Sequence, residues 1–204
     1  MGREARQFLF VGNHPCLDLV NTQMIIKGEL TDLLMTFEDY ASWLVQAKLL
    51  TRSQAQLAKA GLNDSEAQAV LGRAKELRAT LRAVVERIAL RQSVPDAAIE
   101  TINLYLARRP GFPQLVRTKG GFEQRFHSIA AQAEDLVVPL AEAACSLLSS
   151  AEPPLIKKCR NAACILYFYD TTKNHGRNWC SMELCGNRMK VAAYFQRQRK
   201  RSKP

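Results

Sequence analysis

A chain of 204 residues that is 47% apolar and only 7% aromatic is long enough for one full core plus a small appendage, and it leans towards helix rather than sheet. No run of eighteen residues is apolar and uncharged, which excludes a membrane-spanning helix, and the N-terminal apolar stretch after Arg6 is too short for a secretory signal, so the expected location is the cytoplasm. The net charge of +10 is confined to one end: residues 1–154 hold 17 Lys+Arg against 17 Asp+Glu, whereas residues 155–204 hold 12 against 2.

In chain order, residues 7–12 read as a short strand. Asn13-His14-Pro15 opens a helix through Asn21, with Pro15 suited to a first turn. Thr36 followed by Asp39 matches a capping box and starts a helix that turns Phe37, Tyr40, Ala41, Leu44 and Leu49 inward. Ser53 is the expected cap of a shorter helix that stops at Gly61. Ser65 opens the longest helix, to about Arg91, with Val70, Leu77, Leu81, Val84, Val85 and Ile88 at helical spacing. A further helix follows Pro95.

Residues 114–126 change character. Two β-prone runs flank Lys119-Gly120-Gly121, which predicts a hairpin. Helix returns over 128–149, restarted at Pro139, with Leu140, Ala143, Ala144, Leu147 and Leu148 as the buried stripe. Ser149 to Pro154 is the clearest boundary, because two prolines end a helix and stiffen a link. The expected architecture is therefore mainly α with a small β-hairpin. Residues 1–152 form a helical domain and residues 155–204 a small module ending in a basic helix.

Four of the six cysteines make the pattern Cys159-x4-Cys164, fifteen residues, Cys180-x4-Cys185. Two close pairs separated by a short span suit a tetrahedral structural zinc site. A fifty-residue segment with so few large apolar residues also needs a metal or a disulfide to hold a fold, and a reducing cytoplasm favours the metal. One Zn²⁺ with four thiolates and no open position is structural rather than catalytic. Cys16 and Cys145 lie on apolar helix faces and are expected to be small buried hydrophobes. His175 lies inside the module, outside the filled shell.

Trp179-Cys180-Ser181-Met182 and Cys185-Gly186-Asn187-Arg188, with Phe168-Tyr169-Asp170 after Cys164, resemble the CGNR zinc finger. Gly12 and Leu17-Asp18-Leu19-Val20-Asn21-Thr22 resemble the opening of the ABATE domain. That domain precedes this finger in a family of bacterial stress-induced transcriptional regulators. The resemblance covers nearly the whole chain. It implies a helical regulatory or dimerisation domain joined to a DNA-binding finger. Lys173 to Arg177 carries fewer arginines than the family's loop.

From Met182 to about Arg201 the module should end in a helix. Met189, Val191, Ala192, Ala193, Tyr194 and Phe195 are its packing candidates. Lys173, Arg177, Arg188, Lys190, Arg197, Arg199, Lys200 and Arg201 are its candidate DNA contacts. Six to eight phosphate contacts would make log affinity fall against log salt with a slope of about −5 to −7. Gly186 allows a close backbone approach at the knuckle, and Trp179 is a core residue of the finger. Asp18 and Asn21 share a helix face. They either line a small-molecule effector pocket or cap a neighbouring loop or helix. No nucleophile–base pair, phosphate-binding glycine loop or open metal site stands out, so the expectation is a regulator and no enzyme. A homodimer would suit paired half-sites. The alternative is a finger that binds RNA or a protein partner.

Overall fold

The computed structural model describes residues 7–109, 111–128 and 133–201, and for residues 126–128, 133–134 and 199–201 the backbone alone. Among these, seven helices and three two-stranded antiparallel sheets are formed. The helices are α1 Pro15–Val20, α2 Phe37–Gln46, α3 Arg52–Ala60, α4 Asp64–Ala89, α5 Asp96–Leu106, α6 Val138–Ser150 and α7 Asn187–Arg201. The sheets pair β1 Gln23–Ile26 with β2 Glu29–Asp32, β3 Gly111–Thr118 with β4 Gly121–Ser128, and β5 Ile156–Lys158 with β6 Tyr167–Tyr169. No described helix is long and apolar enough to cross a membrane.

Capping chemistry sets where the helices begin. Thr36 Oγ1 accepts from the Asp39 amide, and Asp39 returns a bond to the Thr36 amide, closing the expected box on α2. Thr51 with Gln54 caps α3, two residues before the Ser53 predicted for that role, and α3 ends at Gly61 as expected. Asn63 with Glu66 caps α4, again two residues before the predicted start at Ser65. In both cases the observed cap closes a reciprocal pair that satisfies two otherwise unbonded amides; Ser53 and Ser65 have Gln56 and Gln68 at the same spacing, so the pattern alone does not choose between the overlapping boxes.

Around α4, the main core gathers Leu17, Leu19 and Val20 of α1, Tyr40, Trp43 and Leu44 of α2, and Leu140, Ala144 and Leu147 of α6. The Arg78 guanidinium is buried in this layer. It donates to Asp32 Oδ1 at 2.7 Å and to Thr22 Oγ1 at 2.8 Å, tying β2 and the end of α1 to α4. Ile156 and Tyr167, from the cysteine-rich module, belong to the same cluster.

Three expectations are corrected. Residues 7–12 form no strand. They run as an extended segment held by single bonds from Asp18, Tyr169 and Arg177, which suffice to fix it without a ladder. Cys145 is exposed, because it falls beside the buried stripe of α6 instead of on it. The sheets β1–β2 and β5–β6 were not expected. Lys27 and Gly28, at φ of 52° and 89°, make the tight turn of the first, in the left-handed conformation that two-residue hairpin loops require. The expected β3–β4 hairpin is present and longer, eight paired positions from Gly111↔Ser128 to Thr118↔Gly121. Its Leu115 and Phe122 are exposed. Residues 129–132 of the expected 128–149 helix lie outside the described residues. A 3-10 turn over Ala133–Val137 leads into α6, which has Pro139 in its first turn.

Candidate metal centre and the helix beyond it

The β5–β6 ribbon brings the first cysteine pair together. The Cys159 amide donates to the Leu166 carbonyl at 2.9 Å, and the Cys164 amide donates to the Asn161 carbonyl at 2.8 Å, so residues 159–164 close into a knuckle. In the second pair, Cys180 directly precedes Ser181, the cap of a π-helical turn over Met182–Gly186, and Cys185 lies within that turn; Ser181 Oγ accepts from the Leu184 amide at 2.9 Å. That turn runs directly into α7. The helix expected from Met182 to Arg201 is thus one continuous element in two conformations.

All four cysteines are buried, and their sulfurs lie within 4.8 Å of one another. Cys164 Sγ and Cys180 Sγ are 3.9 Å apart. A disulfide needs about 2.05 Å, whereas a zinc tetrahedron with ~2.3 Å bonds spaces its sulfurs by about 3.8 Å. The donor set and its spacing therefore fit one structural Zn²⁺. Hydrogen bonding among the crowded thiols pulls Cys159 down to about 2 and pushes Cys164 up to about 12, with Cys180 raised further. Sulfurs this close can all ionise together only around a cation. The Asn161 side chain donates to Cys185 Sγ at 3.2 Å and accepts from the Ala163 amide at 3.1 Å, so it orients a ligand from outside the shell. Sequence reading passed over Asn161; its position two residues after a ligand, where an Asn side chain can brace a knuckle, was the available signal.

Directly after β6 sits a buried carboxylate, Asp170. Burial would raise Asp170, but the Lys157 ammonium at 2.7 Å, the Thr172 hydroxyl at 2.6 Å and the Thr172 and Arg177 amides outweigh it and hold the group well below the usual carboxylate range. Asp170 thereby shapes the loop that carries Lys173 and His175. Trp179 is half-buried against the cysteine cluster. Gly186 sits close under two side chains: a Cβ there would meet Met182 Sδ at 2.5 Å and Trp179 Cδ1 at 3.1 Å, so the Met182 side chain would have to move aside.

The cysteine module is joined to the helical region by a seam of backbone-directed bonds. Asn21 Nδ2 donates to the Tyr167 carbonyl at 2.8 Å, and the Tyr167 amide donates to Asn21 Oδ1 at 2.9 Å. One side chain thus replaces a neighbouring strand for β6. Asp18 Oδ1 accepts from the Gly12 amide at 2.7 Å, and the Gly12 carbonyl accepts from the Tyr169 amide at 2.8 Å. A Cβ on Gly12 would come within 2.8 Å of Leu17 Cβ, so this close approach requires glycine. Asn13 Nδ2 donates to Tyr169 O and to Thr171 Oγ1, each at 3.1 Å. Both residues offered for an effector pocket, Asp18 and Asn21, have side-chain oxygens engaged by the chain's own backbone.

The candidate DNA contacts fall into two kinds. The Arg177 guanidinium donates to the Trp179 carbonyl at 3.0 Å, the Val11 carbonyl at 2.6 Å and the Cys180 carbonyl, and lies 4.2 Å over the Phe168 ring. It braces the module from within. Lys173, Arg188, Lys190 and Arg197 are exposed to solvent. Arg188 also borders a cleft of about 90 Å³ beside Cys164, Cys180 and Cys185, walled by Met24 and Leu184. For Arg199, Lys200 and Arg201 the backbone continues α7, and their side chains lie outside the described residues. The apolar residues of α7 do not all pack as expected. Met189 and Ala193 are half-buried, but Val191, Tyr194 and Phe195 are exposed, because they project from the opposite side of the helix.

Comparison with protein families places this arrangement. The ABATE model, described as "Putative stress-induced transcription regulator", matches residues 13–151, and the CGNR zinc finger model matches residues 156–198. Comparison with curated proteins gives no match.

Proposed function

The chain belongs to the ABATE family and carries a CGNR zinc finger, and from that premise we propose that it is a cytoplasmic transcriptional regulator, a binding protein and not an enzyme, that contacts duplex DNA through its finger. The observation that carries this reading is the charge of α7. From Asn187 to Pro204 the chain has seven Lys+Arg and no acid, and Arg188, Lys190 and Arg197 stand exposed on a helix that starts beside the metal centre. Zinc acts here as a scaffold: it fixes the direction in which α7 leaves the body, while the lysines and arginines supply attraction to phosphates. Arg177 belongs to the scaffold.

A gel mobility-shift series with the zinc-loaded full chain tests the reading. It uses duplex DNA and structured RNA at increasing salt, with Lys190→Ala/Arg197→Ala alongside. We expect duplex binding whose salt slope shallows by about 1.8 in the double variant, at about 0.9 per phosphate contact. Binding to RNA alone, or duplex binding indifferent to both salt and the double variant, contradicts it and favours an RNA- or protein-binding finger. A homodimer is the second part of the proposal, favoured by the exposed Leu115 and Phe122 on the β3–β4 hairpin, since a two-stranded ribbon alone is only marginally stable in water.

A further inference from the structure

We infer that α7 enters the major groove of duplex DNA with Val191, Tyr194 and Phe195 against the base edges, and that this apolar face favours thymine through its 5-methyl group. The inference rests on the DNA-binding reading above and goes further by naming the residues that select sequence.

The helix has a body side and an outward side. Met189 and Ala193, four apart, are half-buried and mark the body side. Val191, Tyr194 and Phe195 fall at i, i+3 and i+4, so they share one face, and at about 100° per residue that face is opposite Met189 and Ala193. They are 54%, 52% and 59% exposed. Three large apolar side chains in a row on solvent are costly unless something covers them. The Tyr194 and Phe195 rings already contact each other edge-to-face, with centroids 5.7 Å apart, so the face is partly ordered before any partner arrives.

Charge selects the occupant. By helical position, Arg188 borders the apolar stripe on one side, and Lys190 and Arg197, seven apart, border it on the other. No acidic residue lies anywhere on α7. Two copies of this helix packed stripe to stripe would set like charges against each other along both edges. A polyanion with an apolar floor between two anionic walls fits instead. The major groove of B-DNA is such a surface. It is about 12 Å wide, and a helix with its side chains is about 10–12 Å across. With the stripe on the floor, the two basic edges face the phosphates of the two strands. The one apolar group that base pairs present on that floor is the thymine methyl.

The test uses the zinc-loaded full chain and four duplexes of equal length: alternating dA·dT, the same with deoxyuridine for thymidine, alternating dG·dC, and the same with 5-methyldeoxycytidine. Single-stranded oligothymidine is included as a competitor. The variant is Val191→Ala/Phe195→Ala, whose side chains are exposed, with zinc content and circular dichroism read as checks on folding. The expected result is tighter binding to the methyl-bearing member of each pair, by about three- to fivefold per contacted methyl. That preference should vanish in the variant while the salt slope is kept. Equal affinity within both pairs for the wild type overturns the inference and leaves DNA binding standing. So does a preference that survives in the variant, or oligothymidine bound more tightly than any duplex, which would make the rings a base-stacking platform. No duplex binding in any arm overturns the DNA reading and the inference together.

Discussion

In the helical region, Leu, Val, Tyr and Trp side chains from α1, α2, α4 and α6 fill one core; in the cysteine module the core cluster has six buried residues, and four of them are metal ligands. The first can exclude water with its own side chains. Among the described residues the second has Leu166 and Phe168 fully buried, with Trp179 and Leu184 partly buried beside them, and it depends on Zn²⁺ for its shape. The seam through Asn21, Gly12 and Asp18 then lets a metal-built module share a boundary with an apolar core. Folding energy supplied at the sulfurs therefore reaches Tyr167 and Ile156, which lie in the larger cluster.

The largest expected effect comes from removing the metal. Structural zinc contributes about 10–16 kcal/mol in isolated fingers. Cys180→Ser, or a strong chelator, should abolish protection of residues 155–198 in hydrogen exchange and also raise exchange in α1. Unchanged exchange in α1 would show two independent regions. Next is the seam itself. Asn21→Ala leaves the Tyr167 amide and carbonyl unpaired in a buried place, and at about 1–3 kcal/mol per orphaned group it should cost about 2–6 kcal/mol in chemical denaturation. Asn13→Ala, at an exposed part of the same seam, should cost under about 1 kcal/mol. Equal costs would mean that the seam is not where the two regions are held.

A third comparison uses pH. Burial raises Asp18 from 3.8 to about 6, against the pull of the Gly12 and Val11 amides and the Arg177 charge. A carboxyl with a raised folded pKa binds its proton more tightly in the native state. Its contribution is complete below pH 3.8 and is lost as pH rises through 6. The roughly two-unit displacement corresponds to about 3 kcal/mol. Asp18→Asn should therefore gain stability relative to wild type between pH 4 and 7, read as the difference in Tm with zinc present; a flat difference across that range contradicts the assignment. The smallest effects separate two arginines. Arg197→Ala should leave Tm unchanged and make the salt slope of DNA binding shallower by about 0.9. Arg177→Ala should lower Tm and leave the slope unchanged. The reverse pattern would move Arg177 to the contact surface.

Much of this organisation could be read from residues alone. Cys-x4-Cys repeated over a short span, with little apolar material around it, implied a metal or a disulfide, and the expected reducing surroundings favoured the metal. The capping box at Thr36 marked the start of α2, and the caps expected at Ser53 and Ser65 fell two residues late, since Ser53 with Gln56 and Ser65 with Gln68 have the same spacing as the boxes formed at Thr51 and Asn63. The seam was not legible. Asn21 bonds to Tyr167 across 146 positions, and no local pattern encodes which backbone a side-chain amide will meet. For the same reason Arg177 and Arg197 look alike in sequence, although one lies over Phe168 and the other faces solvent. The exposed stripe of α7 was misjudged because helical spacing shows which residues share a face and does not show which face the body covers.

The two tryptophans stand one in each region: Trp43 is fully buried in the helical core and Trp179 lies against the cysteines. Trp179→Phe leaves Trp43 as sole reporter of the helical region. Thermal unfolding of that variant, followed by Trp43 fluorescence with zinc and then with chelator, tests most directly whether the metal-built module and the helical region fold as one. A single transition is expected with zinc, and a lower Tm at Trp43 once zinc is removed. A Trp43 transition at the same temperature in both conditions would contradict it.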